Sequence, residues 1–173
     1  MAKFIAFLRG INVGGGNKVP MKELKTCFEG MGFTNVNTLL NTGNVVFDGN
    51  KKDLSKIPDK LEKEFGFTIE TLIYSFSDIE KIVQSNPFEG IERLKDFKLY
   101  VSFYIEIKKS SIIIPFTDEE KGIKILKIID IAIISMVDIK KSGTIELMKL
   151  LEREFGKKLT TRNFNTVQKL IAK

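Results

Sequence analysis

VNTLLNTGNVVFD, residues 36–48, decides the fold. Residues 36–40 and 44–48 read as two short strands around the tetrapeptide NTGN, residues 41–44. Gly43 supplies the positive φ that a tight hairpin turn demands. Upstream of this hairpin, Met21, Leu24, Phe28 and Met31 recur at helical spacing. Pro20 suits the start of that helix, and Gly32 suits its end. Further upstream, residues 3–11 form a short apolar run of the kind that makes a central strand. Downstream, Leu54, Ile57, Leu61 and Phe65 give a second helical face. Pro58 is tolerated only in a first turn, so this helix starts near Ser55, and Gly66 stops it. Residues 69–76 are the next strand. The resulting order, β-α-β-β-α-β, is the split arrangement of a ferredoxin-like α-β plait.

The second half repeats the theme less regularly. SDIE, residues 77–80, is a capping-box pattern opening a short helix that ends before Asn86-Pro87. Residues 86–96 read as a linker, and 97–107 as a long strand. TDEE, residues 117–120, is a second capping-box pattern, with Gly122 allowing only a short helix. Residues 123–129 and 132–137 form a hairpin of buried strands, a helix covers 144–155 up to Gly156, and a last helix covers 163–172. LEKEFG at 61–66 returns as LEREFG at 151–156, each on a helix that follows a hairpin. The expected fold is therefore α+β, with two ferredoxin-like subdomains related by internal duplication. Residues 1–85 form the first, and 86–173 form a second, imperfect plait with a C-terminal helix, both within one compact structural unit. Where the first half has a long strand, the second has only KKLTTRNF, residues 157–164.

Composition narrows the chemistry. The chain has 173 residues, one cysteine and no histidine. Imidazole-based zinc sites, Ser-His-Asp triads, Cys-His dyads and internal disulfides are thereby excluded. Proton transfer near neutral pH would fall to a shifted carboxylate, a lysine, a tyrosine or the thiol. No metal site and no cofactor is expected. The apolar run at residues 4–8 is too short for a signal-peptide core, and no run approaches a membrane span, so a cytoplasmic protein is expected. Net charge is +6, but only Arg9, Arg93, Arg153 and Arg162 of the 28 basic residues are arginine. Arginine is the residue suited to bidentate recognition of phosphate or carboxylate, so these four carry more information than the dispersed lysines.

The most distinctive loop is LRGINVGGGNKVPM, residues 8–21. It is not a P-loop. Counting from Gly10 puts Gly15 in register but Gly16 where lysine is required. Nor is it a dinucleotide fingerprint, because counting from Gly14 puts Val19 at the third glycine. Two readings stand. The N–H groups of Gly14, Gly15 and Gly16, with Arg9, Asn12, Asn17 and Lys18, can form an anion site ahead of a helix. Equally, the glycines can serve a strand-to-helix crossover that needs unusual backbone angles. TTRNFNTV, residues 160–167, offers the same pair of readings: Arg162 and Asn163 as ligand contacts, or Thr161 or Asn163 as a helix cap. Asn41 and Asn44 either shape the hairpin turn or face a ligand beside the glycine loop. Cys27 falls among core positions of the first helix. Tyr100 and Tyr104 share one face of a strand, where packing is favoured over base stacking because no RNP1 pattern occurs.

FLRGINVGGGNKVPM, LLNTGNVVF and LTTRNFNTV, in this order, resemble the bacterial DUF1697 family, a domain of unknown function. The resemblance runs from Phe4 to Val167. It implies an α/β fold of two ferredoxin-like plaits and no established activity, substrate or cofactor. The family's signature concentrates at the positions matched here by residues 9–21, 41–44 and 161–166, which favours one shared site. Thr42 stands where the family commonly has serine, keeping the hydroxyl. Phe164 stands where it commonly has tryptophan, losing the indole donor. The leading expectation is a cleft formed by loop 9–18 and segment 160–166 that binds a small anionic or phosphorylated ligand. Alternatives are a nucleic-acid-binding module using plait sheets and surface lysines, or an interaction module in which the motif residues are purely structural. No membrane partner is expected.

Overall fold

The computed structural model of the chain describes residues 1–92 and 94–173. Arg93, inside the expected 86–96 linker, lies outside the described residues. Those residues form an α+β protein with five α-helices and two antiparallel sheets. They divide into two compact units, Met1–Glu80 with Leu170–Lys173, and Lys81–Lys169. No helix among the described residues is long and apolar enough to cross a membrane.

The first unit contains β1 (Ala2–Leu8), α1 (Met21–Gly30), β2 (Thr34–Leu39), β3 (Asn44–Gly49), α2 (Ile57–Phe65) and β4 (Thr71–Ser75). Its sheet runs β2-β3-β1-β4 with every neighbouring pair antiparallel. β1 takes the interior because both its faces are apolar. Phe4, Ala6 and Leu8 join Leu24 and Phe28 of α1 and Ile57 and Leu61 of α2 in one core. Ile5 and Phe7 are buried on the opposite face. Phe47 anchors the core, with ring centroids 4.7 Å from Phe33 and 5.1 Å from Phe28. Burying one such side chain contributes about 1.5–3 kcal/mol.

The hairpin at 41–44 forms as its sequence predicts. Gly43 has φ +79°, and a Cβ there would lie 2.7 Å from Ile11 Cδ1 and 2.8 Å from Leu8 Cβ. Glycine is thus required both by backbone angle and by the closeness of the preceding loop. α2 starts at Ile57 rather than near Ser55, because a 3-10 turn, Lys51–Lys56, occupies the approach. Gly66, at φ +80°, ends it. α3 (Phe76–Gln84) also starts differently. Ser75 Oγ, not Ser77, accepts the Asp78 N–H at 3.2 Å, so the capping hydroxyl is the last residue of β4.

The second unit contains β5 (Phe97–Tyr104), β6 (Phe116–Asp118), β7 (Ile123–Ile129), β8 (Ala132–Asp138), α4 (Thr144–Phe155), β9 (Leu159–Asn163) and, as far as Lys169, α5 (Phe164–Ile171), with sheet order β6-β7-β8-β5-β9. β7, β8 and α4 follow the apolar pattern. Leu147, Leu150, Leu151 and Phe155 of α4 cover Tyr100, Ile123, Ile125, Ile133, Val137 and Leu159.

Three expectations change here. β5 ends at Tyr104, three residues short of the predicted strand. TDEE at 117–120 is not a helix start. Thr117 pairs with Lys124 in the β6–β7 ladder, and Asp118 Oδ1 accepts the Lys121 N–H at 3.0 Å. The four residues between these strands make a turn, with Gly122 at φ +63°, and leave no room for a helix. TTRNF is mostly strand. Residues 159–163 pair with β5, and Ser102 Oγ and Thr161 Oγ1 share a buried hydrogen bond of 2.8 Å. That bond lets polar residues occupy an interior ladder.

Candidate functional site

The glycine loop of the first unit is tied at its base by amide side chains. Asn12, at φ +56°, donates from Nδ2 to the carbonyl oxygens of Val19 (2.9 Å) and Asn41 (2.8 Å). Its Oδ1 accepts the Val19 N–H at 2.8 Å, and its own N–H donates to Asn17 O at 3.0 Å. Asn17, at φ +48°, donates from Nδ2 to Gly10 O at 3.2 Å. Asparagine suits both positions because its short polar side chain tolerates the left-handed region and bonds locally. The hairpin tip is secured as well. Leu8 N–H donates to Gly43 O at 2.8 Å, and the fully buried Asn44 donates to Leu39 O (2.8 Å) and Thr42 Oγ1 (3.0 Å).

Between this loop and the hairpin tip lies an open cleft of about 330 Å³. Asn12, Gly15, Gly16, Lys18, Val19, Pro20, Met21 and Asn41 line it. The expected site residues therefore fall into distinct groups. Asn12, Asn17 and Asn44 spend their side-chain amides on holding the backbone. Among the described residues, the Gly14 and Gly15 N–H groups, the Lys18 ammonium and the Asn41 side chain make no hydrogen bond or ion pair inside the protein. All four of these residues are exposed. Gly14 and Gly15 have φ of +63° and +79°, which a side chain would disfavour. Arg9 is engaged elsewhere: its Nη1 donates to Glu70 Oε2 at 3.0 Å, and it is not part of the cleft lining.

The sequence pattern does not single out Val19, Pro20 and Met21 as lining a cleft, and marks Pro20 and Met21 only as helix starters. Nor does it single out Glu70. Leu8 pairs with Thr71, which brings Arg9 and Glu70 together across 61 residues, and no local pattern reveals that register. Cys27 is partly buried against the first core, and burial, followed by the nearby Glu64, pushes its thiol up from 9.0. It has the character of a packing residue rather than a nucleophile.

In the second unit, Arg162 sits on β9 opposite Val101. Its Nη1 donates to Thr160 Oγ1 at 2.8 Å and Thr161 O at 3.0 Å. Asn163 Oδ1 accepts the Asn165 N–H at 3.0 Å, so it caps α5. Thr161, the other capping candidate, is inside the strand. Phe164 is 5% exposed and packs on Phe88 with centroids 4.9 Å apart, a role that needs no indole donor. Tyr100 is equally buried, and its hydroxyl lies 2.9 Å from Thr144 Oγ1. It is a core residue of the sheet, not a stacking platform.

These features define an α+β chain of two antiparallel sheets with a glycine-loop cleft in its first unit. Residues 1–133 match the model of the family described as "Protein of unknown function (DUF1697)". The chain belongs to that family. It is similar in fold to the conserved bacterial protein SP0830 from Streptococcus pneumoniae, at 22% identity and a TM-score of 0.64 over 99% of this chain and 97% of that one. No curated protein matches the sequence.

Proposed function

We propose that the first unit binds a small anionic ligand, phosphate-bearing by preference, in the cleft between the glycine loop and the hairpin tip. The observation that carries this reading is the convergence, in one cleft ahead of α1, of three donor groups without internal partners among the described residues: the Lys18 ammonium, the Asn41 side-chain amide and the Gly15 N–H. Backbone N–H groups of a glycine loop at a helix start favour negative charge. Among the described lining residues Lys18 is the one titratable side chain, which suits a binding site better than an acid–base pair. Arg9, paired with Glu70, supports the loop's anchorage and adds no direct contact.

The fold supports a finer reading too. The order β2-β3-β1-β4, with α1 and α2 as its crossovers, is what a ferredoxin-like plait requires. In the second unit β7-β8-β5-β9 repeats that order, with α4 as one crossover and the short edge strand β6 in place of the other helix. We read the chain as two plaits related by duplication, the second having lost its first helix.

The test is a melting-temperature series in chloride, sulfate and phosphate at matched ionic strength, for wild type and Lys18→Ala. Sulfate and phosphate stabilise most proteins by exclusion from their surfaces. A bound anion adds to this only while its site is intact. Phosphate is expected to raise the wild-type midpoint more than the Lys18→Ala midpoint. Equal rises in the two proteins would defeat the reading.

A further inference from the structure

The cleft is two-sided, and that restricts what it can hold. Gly15, Gly16, Lys18 and Asn41 supply its polar side, while Pro20 and Met21 supply an apolar one, Val19 behind them being buried in the core. The amide of Asn12, which also lines it, is committed to Val19 and Asn41 and has no donor left to offer. A hydroxyl-rich ligand body would lie against Pro20 and Met21 with its hydrogen bonds to water broken and few replacements. An apolar body would instead exchange water for contact with those side chains. Val13 and Leu40, the chain neighbours of the lining residues Asn12 and Asn41, carry apolar side chains that are 68% and 51% exposed. Leu40 does so at φ +60°, where the other described non-glycine residues of positive φ are all asparagine or aspartate.

Size and charge narrow the choice further. About 330 Å³ is near the lower end of small-molecule sites. Among the described lining residues Lys18 is the sole cation, and it makes no ion pair. One ammonium with a few N–H donors matches one phosphoryl group, not a run of them.

Resting on the anion-binding reading above, we infer that the cleft selects a small organic monophosphate whose body is apolar, of the aryl or branched-alkyl kind. The phosphoryl group lies towards Lys18 and the glycine backbone, and the body lies along Pro20 and Met21.

Titration calorimetry with inorganic phosphate, phenyl phosphate, glycerol phosphate and pyrophosphate tests this. Phenyl phosphate is expected to bind about tenfold or more tightly than inorganic phosphate, with glycerol phosphate close to inorganic phosphate. Met21→Ser is expected to weaken phenyl phosphate more than inorganic phosphate, so that most of that advantage is lost. Met21→Leu is expected to keep the advantage, which guards against a variant that merely fails to fold. Equal affinity for phenyl and glycerol phosphates overturns the apolar-body inference and leaves the anion site standing. Pyrophosphate binding more tightly than phenyl phosphate overturns the single-phosphoryl assignment. Binding of none of the four by folded wild-type protein overturns the anion reading itself.

Discussion

Asn12 concentrates the physics of the loop in one side chain. It sits at φ +56°, donates twice and accepts once, and so joins the start of α1 to the hairpin tip. Asn12→Ala removes three hydrogen bonds, each worth about 1 kcal/mol net, and leaves a Cβ-bearing residue in the left-handed region without local compensation. The bonds are only partly shielded, so the expected loss of unfolding free energy is about 2–3 kcal/mol, measured by urea denaturation. Asn12→Gly should regain part of this, because glycine adopts the angle freely but restores no bond. If Asn12→Ala unfolds within about 0.5 kcal/mol of wild type, the amide is not holding the loop. The same asparagine type at 17 and 44 was indistinguishable from a ligand contact in the sequence. Whether an amide faces a ligand or its own backbone depends on φ and on nearby carbonyls, neither of which composition reports.

Among the elements, the legible ones were those whose apolar residues recur with one period. α1, α2, α4, the β7–β8 hairpin and the turn at Gly43 belong to this group. The elements that escaped are short or polar. β6 is three residues long and runs into the turn within TDEE, which imitates a helix start because Thr and Glu have the same spacing in a capping box and in this strand-turn. β9 reads as polar, yet Thr161 and Ser102 satisfy one another in the sheet interior. α4 shows the real article. Glu146, at its third position, accepts the Gly143 N–H at 3.0 Å, although Gly143 has no side chain to return the bond. Its own backbone N–H and that of Gly143 hold its carboxyl below the ordinary 4.5. A carboxyl with a depressed folded-state pKa stabilises the fold above its unfolded value, and that contribution disappears as pH falls through the lower, folded value. Wild type should therefore lose midpoint temperature on acidification below 4.5 more steeply than Glu146→Gln, which cannot titrate. Parallel acid profiles for the two proteins would show that the N-terminal turn of α4 does not depend on this charge.

At the scale of the molecule, the +6 charge invites a nucleic-acid reading, and geometry sets its limits. Charge alone attracts phosphate backbones through counterion release, a sequence-independent force that weakens steeply with salt. Tight binding to single strands adds aromatic rings on which bases stack. Tyr100, on the sheet face where such a ring would serve, is 5% exposed beneath α4. Several lysines are paired as well: Lys140 with Asp96 and Lys158 with Glu106, both at 2.7 Å. The molecule thus carries the net charge of a basic protein, while the Tyr100 ring is not available for stacking. Binding of a mixed-sequence single-stranded oligonucleotide is expected to be weak and to vanish as salt rises to about 0.2 M, with a shallow dependence that reports only a few phosphate contacts. Fluorescence anisotropy across a salt series measures both. A complex of micromolar affinity that survives about 0.2 M salt would place nucleic acid ahead of a small monophosphate as the ligand of this chain. In that event competition by phenyl phosphate would decide whether the two share the glycine-loop cleft, since a common site requires the small molecule to displace the strand and separate sites require that it does not.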